Sequence, residues 1–172
     1  MSIQAVQAIG ELLKGEVTDS ALDFFSVQCE TLDGNGNYSK IRSEIFRMIK
    51  KCSAKKELSN SPSLLRLYKL VGRHSETLGN NGVYESLYKE GRFRQLLEFY
   101  VSWAKTCNNR ELFHQIFIRA KNNLKRIRAE EDILGEFRSV AKEHFSGRRL
   151  TADNRKRNDR VRRNEPRNFK IE

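Results

Sequence analysis

Proline and glycine are scarce here, two and ten among 172 residues. So few turn-formers exclude a fold of many short strands and favour long helices. No run approaches the roughly eighteen apolar residues of a membrane-spanning helix. The start, MSIQAVQAIGELLKG, has no basic opening, long apolar run or cleavage-like end, so no secretory leader is expected. Cysteine is also sparse: Cys29, Cys52 and Cys107 are odd in number and widely scattered. That excludes a disulfide framework and fits a reducing, intracellular compartment.

Chemistry-bearing motifs are missing as well. His74, His114 and His144 stand alone, without the i, i+4 or Cys-x-x-Cys spacing of a zinc site. DGNGN follows no strand pattern and lacks the Lys-Ser/Thr of a phosphate loop. No Gly-x-Ser-x-Gly elbow occurs, and no cysteine has a recognisable histidine partner. Glu130, Glu131 and Asp132 stand at an expected helix start, where the helix dipole accounts for them. Arg94 to Leu97, RQLL, matches a minimal degradation-box pattern, but two of its positions fall on an apolar stripe. The expectation is a protein that is not an enzyme, with no cofactor, no metal, no membrane association and no small-molecule substrate.

What is present is apolar spacing of helical period. Ile3, Val6, Ile9 and Leu13 form one stripe; Leu22, Phe25 and Cys29 form another, after Thr18 and Asp19, which can cap. ETLDGNGNYSK reads as a loop. Ile41, Ile45, Met48 or Ile49, and Cys52 follow. SNSPSLL is a start signal, with Ser61 as cap and Pro62 in the first turn of a helix carrying Leu64, Leu67 or Tyr68, and Val71. ETLGNNG closes that helix, and a short one with Val83, Leu87 and Tyr88 stops near Gly91. Phe93, Leu96 or Leu97, Tyr100, Trp103 or Ala104, and Cys107 predict a further helix, followed by an Asn108 or Asn109 cap. Phe113, Ile116 or Phe117, Ala120, Leu124 and Ile127 continue the period, then Leu134, Phe137, Val140 or Ala141, and Phe145. The pattern predicts an all-α fold of seven or eight helices, mostly antiparallel neighbours because the loops are short.

Helical hairpins in series suggest a tetratricopeptide-like α-solenoid. With Ala120 as the small residue late in a second helix, Phe117 takes the aromatic position three before it. Phe113, Ala104 and Leu97 then fall on the remaining positions of a degenerate repeat. The expected core of this hairpin is Leu97, Tyr100, Trp103, Ala104, Phe113, Phe117 and Ala120. A buried ring is the simplest reading of Trp103, because an aromatic stripe of helical period faces a core; a peptide-binding hot spot is the other.

After Phe145 the pattern ends. Residues 147–172 hold ten Lys or Arg against four Asp or Glu, six of the chain's eleven net positive charges. Such a composition cannot bury enough surface to order itself, so a helical domain over 1–146 and a disordered basic tail over 147–172 are expected. Arg148, Arg149, Arg155, Lys156, Arg157, Arg160, Arg162 and Arg163 form its clusters. They have three readings: a solubilising end, a nuclear-import address read by an importin, or salt-sensitive contact with nucleic-acid phosphates.

From Leu64 to Ala120 the order of elements is more specific. A helix ends in a short polar break, LY precedes a glycine-containing turn, and Tyr100, Trp103 and Ala104 share the next helix before Ile116 and Phe117. Over roughly residues 20–145 this order resembles the N-terminal homology region of the mitotic-checkpoint Bub kinases and their BubR and Mad relatives. No Lys-Glu-Asn box and no kinase domain accompany it. The resemblance implies a stand-alone version or a fragment of that helical domain. It implies a non-catalytic module of the spindle assembly checkpoint that docks kinetochore or checkpoint proteins. It also implies a place in the nucleus and at kinetochores in mitosis, with the cytoplasm a further location. The alternative is a nuclear helical protein that binds nucleic acid non-specifically through its tail. Trp103→Ala is expected to destabilise the fold by about 3–5 kcal/mol in urea unfolding; a change near zero would place the ring on the surface.

Overall fold

A computed structural model describes residues 3–145, excepting the side chains of residues 3–6 and 8. The side chains of Ile3 and Val6 therefore lie outside the described residues. So does the basic segment with Arg148, Arg149, Arg155, Lys156, Arg157, Arg160, Arg162 and Arg163. Among the described residues there are eight α-helices and no strand: α1 (Ile3–Leu12), α2 (Asp19–Gly34), α3 (Tyr38–Ser53), α4 (Pro62–Arg73), α5 (Gly79–Lys89), α6 (Leu97–Ala104), α7 (Arg110–Leu124) and α8 (Glu130–Phe145).

Local chemistry sets half of the starts. Thr18 accepts from the Ala21 N–H at 3.2 Å, Ser61 from the Leu64 N–H at 3.2 Å, and Asn109 from the Glu111 N–H at 2.7 Å. Each satisfies a donor that the first helical turn leaves orphaned. Pro62 occupies the first turn of α4, where its missing N–H costs nothing. Glu130, Glu131 and Asp132 fill the first turn of α8.

The helices pack in two groups. Helices α2, α3 and α4 contact one another, with α4 laid extensively against α2, and α1 packs on α2 and α3; α6, α7 and α8 form a second mutual set. Helix α5 joins them, packing on α4 on one side and α6 on the other. α4 is the most enclosed element of the first group, burying Ser63, Leu64, Leu65, Leu67, Leu70 and Gly72. Helix α3 is two-faced: Ile41, Ile45, Met48, Ile49 and Cys52 are buried, while Arg42, Arg47, Lys50 and Lys51 face water beside an exposed Phe46. At eight residues, α6 is far too short to persist alone and depends on tertiary packing.

Several boundaries differ from the sequence reading. The expected ETLDGNGNYSK loop shrinks to residues 35–37, because α2 runs on to Gly34 and α3 begins at Tyr38. GNNG does not end α4 but opens α5. Packing of α5 on both neighbours overrides its glycines' poor helix propensity. The helix expected from Phe93 starts only at Leu97. Ahead of it, Gly91 (φ 82°) and Phe93 (φ 55°) turn the chain through left-handed conformations. For a phenylalanine that conformation is a rare one. It is held by burial of the ring and by the Phe93 N–H donating to Asn60 Oδ1 at 2.8 Å. Ile127, expected in a buried stripe, is 54% exposed, because α7 stops at Leu124 and the stripe stops with it.

One glycine governs the α4–α5 crossing. A β-carbon at Gly72 would lie 2.9 Å from Asn80 Oδ1 and 3.3 Å from Asn80 Cα. Gly135, on the exposed face of α8, has nothing within 4 Å of that position. Gly72→Ala is expected to destabilise by about 1–3 kcal/mol through overpacking. Gly135→Ala should instead stabilise by about 0.5–1 kcal/mol through helix propensity alone. Chemical denaturation of both variants checks the contrast; equal effects would show that α4 and α5 do not approach so closely.

Candidate functional site

The densest assembly of side chains lies where α5 meets α6. Tyr84 and Tyr88 come from α5, Phe99, Tyr100 and Trp103 from α6, and Phe93 from the turn between them. Phe99 is the hub, with ring centroids 5.2 Å from Tyr100, 5.6 Å from Tyr84, 5.8 Å from Trp103 and 6.0 Å from Phe93. Tyr68 of α4 meets Phe93 edge-on at 5.9 Å, which carries the layer into the first helical group. Offset and edge-to-face pairs of this kind add about 0.5–1.5 kcal/mol each beyond burial.

Most of the buried polar tips in this layer have a partner. The Trp103 indole N–H donates to Asn81 Oδ1 at 2.7 Å, and the Tyr100 hydroxyl donates to the Arg94 carbonyl at 3.0 Å. Asn123 of α7 reaches the Tyr88 hydroxyl at 3.3 Å. Arg119 of α7 places its guanidinium carbon 4.9 Å from the Tyr88 ring centre and 5.2 Å from that of Trp103. Its Nη1 is inaccessible and has no hydrogen-bond partner among the described residues; the two π faces supply the compensating attraction. Arg94 lies 4.8 Å from the same Tyr88 ring and donates from Nη2 to the Tyr88 carbonyl at 2.8 Å. Burial pushes the Tyr84 and Tyr100 hydroxyls well above the ordinary tyrosine range.

The seven residues expected to form the hairpin core divide in two. Tyr100, Trp103, Ala104 and Ala120 are fully enclosed. Leu97, Phe113 and Phe117 are half-buried, packed against the core rather than within it. Leu97 is the first residue of α6, so only one side of it meets a neighbour. Phe113 and Phe117 lie on the seam between α7 and α8, each edge-on to Phe137 at 5.5 and 5.3 Å. Sequence reading missed Asn81 and Arg119. The GNNG signal hid the first inside an apparent turn, and no local pattern marks an arginine whose ring partners, Trp103 and Tyr88, lie 16 and 31 residues before it.

A second polar cluster ties the first helical group together. Asp33, near the C-terminus of α2, has a side chain only 4% exposed. A carboxylate there faces the negative end of the helix dipole and needs cationic partners. Arg73 Nη1 lies 2.5 Å from Oδ2 and His74 Nε2 2.5 Å from Oδ1. The Tyr38 ring stacks on His74 at 3.8 Å.

Burial pushes the Cys29 thiol up to about 12 and the Cys52 and Cys107 thiols up to about 11, which keeps them protonated and poorly nucleophilic at neutral pH. Among the described residues no three His, Cys, Asp or Glu side chains converge as metal ligands would, and no helix is long and apolar enough to cross a membrane. Two surface hollows are of note among the described residues. One, about 450 Å³, is rimmed by Asn60, Gly91, Phe93, Arg94, Gln95, Leu96 and Asn123. The other, about 520 Å³, opens between α7 and α8.

No protein-family model matches the chain. It is 28% identical over 132 residues to the mitotic checkpoint serine/threonine-protein kinase bub-1 of Caenorhabditis elegans. That match covers 73% of this chain and 13% of the kinase, so the chain spans a small part of its relative's length. This relative is of the same checkpoint-kinase group that the order of elements from Leu64 to Ala120 resembles.

Asn81→Ala leaves the Trp103 N–H buried and unpaired, and is expected to destabilise by about 1–3 kcal/mol. Asn81→Asp keeps the acceptor and places a carboxylate in the first turn of α5, so it should cost markedly less. Urea unfolding of both variants decides; equal losses would show that the indole hydrogen bond carries no weight.

Proposed function

We propose that residues 1–146 are a non-catalytic protein-interaction module of the spindle assembly checkpoint, which docks kinetochore or checkpoint proteins through its helical surface. The similarity to a mitotic checkpoint kinase is the observation that carries this reading. The architecture supports it. Every main helix contact joins elements one or two apart in the chain, as in tetratricopeptide-like hairpins stacked into a short α-solenoid. Such stacks present continuous outer surfaces, and this chain retains exposed Phe24, Val27, Phe46 and Ile118. The enclosed aromatic layer then works as scaffold, and recognition falls to the surface around it. On this reading the protein acts in the nucleus and at kinetochores in mitosis.

Charge favours a second reading. Residues 147–172 carry six surplus positive charges, and Arg148, Arg149, Arg155, Lys156, Arg157, Arg160, Arg162 and Arg163 suit an importin or nucleic-acid phosphates.

Proximity labelling with the full chain in mitotic and interphase cells separates the two. Enrichment of checkpoint or kinetochore proteins in the mitotic sample is the expected result. Their absence, with nucleic-acid-binding proteins recovered equally from both samples, would overturn the docking reading in favour of the second.

A further inference from the structure

The hollow between α7 and α8 differs in chemistry from the rest of the surface. Phe113 and Phe145 meet edge-on across it at 5.4 Å, and both rings stay half-exposed among the described residues. Through Phe137 they continue to Phe117, so an apolar track runs along the seam. Arg110, His114 and Lys142 rim the hollow, and no carboxylate lines it. Among the described residues none of these three pairs with an acidic side chain. Farther along the same seam the cation is neutralised, with Lys121 2.6 Å from Glu130. One end of the α7–α8 seam is therefore both apolar and uncompensated in charge.

We propose that this groove docks an acidic peptide segment bearing one apolar anchor. The anchor would sit on Phe113 and Phe145, and the flanking carboxylates would meet Arg110 and Lys142. The assignment rests on the docking-module reading above. Charge selects the occupant. The segment that follows Phe145 in sequence has its own surplus of six positive charges, and a second copy of a chain with net charge +11 would also be repelled. Ring geometry disfavours nucleic acid. Base binding needs open aromatic faces, whereas the two rings meet edge to face and the Arg110 guanidinium lies 5.6 Å from the centre of the Phe145 ring. Complementary charge at the rim steers and orients the partner, while the anchor supplies burial.

Fluorescence anisotropy with the full chain tests this. The probe is a short synthetic peptide with a central Leu-Phe pair flanked by Asp and Glu. One control replaces the pair by alanines, and the other flanks the same pair with lysines. The acidic anchored peptide should bind, each control should bind at least about tenfold more weakly, and R110E/K142E should weaken binding by a similar factor. Circular dichroism confirms that this variant is folded, and K142Q serves in its place if it is not. Equal binding by the charge-altered protein would assign the affinity to the basic segment and overturn the proposal. So would tight binding of the lysine-flanked peptide, or displacement of the probe by a single-stranded oligonucleotide at lower concentration than unlabelled peptide requires. If the acidic peptide fails while proximity labelling still recovers checkpoint proteins, the groove assignment falls and the docking-module reading stands.

Discussion

The indole of Trp103 sits where two groups of helices must be held together. Helices α1 to α4 make one packed set and α6 to α8 another, with α5 between them. Trp103 is fully enclosed beside Tyr84, Tyr88 and Phe99, is bonded to Asn81 of α5 and lies beside Arg119 of α7. One side chain thus ties α5 and α7 to its own helix by three kinds of interaction. The eight residues of α6 have little intrinsic helical stability; the layer that they complete holds them in place.

Polar groups make this joint specific rather than merely sticky. Lys69 of α4 pairs with Glu98 of α6 at 2.5 Å, and Arg92 reaches Ser53 and Tyr68 at 3.0 and 3.3 Å. Asn60 holds the left-handed Phe93. Each contact crosses between groups that apolar burial alone would let slide, because burial is non-directional and hydrogen bonds are not. Asp33 does the same within the first group, fixing the ends of α2 and α4 against Tyr38.

Much of this was legible in the sequence wherever a signal was local. The caps at Thr18, Ser61 and Asn109 and the stripes of α3 and α4 follow from residue type and spacing. The glycine-rich segments were misleading because tertiary packing decides their state. ETLDGNGNYSK reads as a loop and holds only a three-residue turn, and ETLGNNG reads as a stop although its GNNG begins a helix. The start of α6 was displaced because Phe93 fits the apolar period yet is buried from a left-handed turn, which periodicity cannot register. Leu97, Phe113 and Phe117 keep the period but lie at an element's edge or on a seam. Spacing reveals which face is apolar, and neighbouring helices determine how much of it is covered. The α7–α8 hollow was not legible at all, since it joins residues about thirty positions apart.

On the proposed docking reading, the same construction separates holding from binding. The largest rings are consumed by the joint, so on that reading recognition falls to half-covered seams and exposed helix faces. That separation depends on Trp103 being sealed, and the chain's single tryptophan makes it directly measurable. Acrylamide quenching of tryptophan fluorescence, in the native full chain and again in urea, is the most direct measurement. The account predicts blue-shifted emission and weak quenching in the native state, with both reverting to those of a free indole only as the chain unfolds. Water-like emission and ready quenching in the native protein would contradict it, and would place Trp103 on the surface that meets a partner.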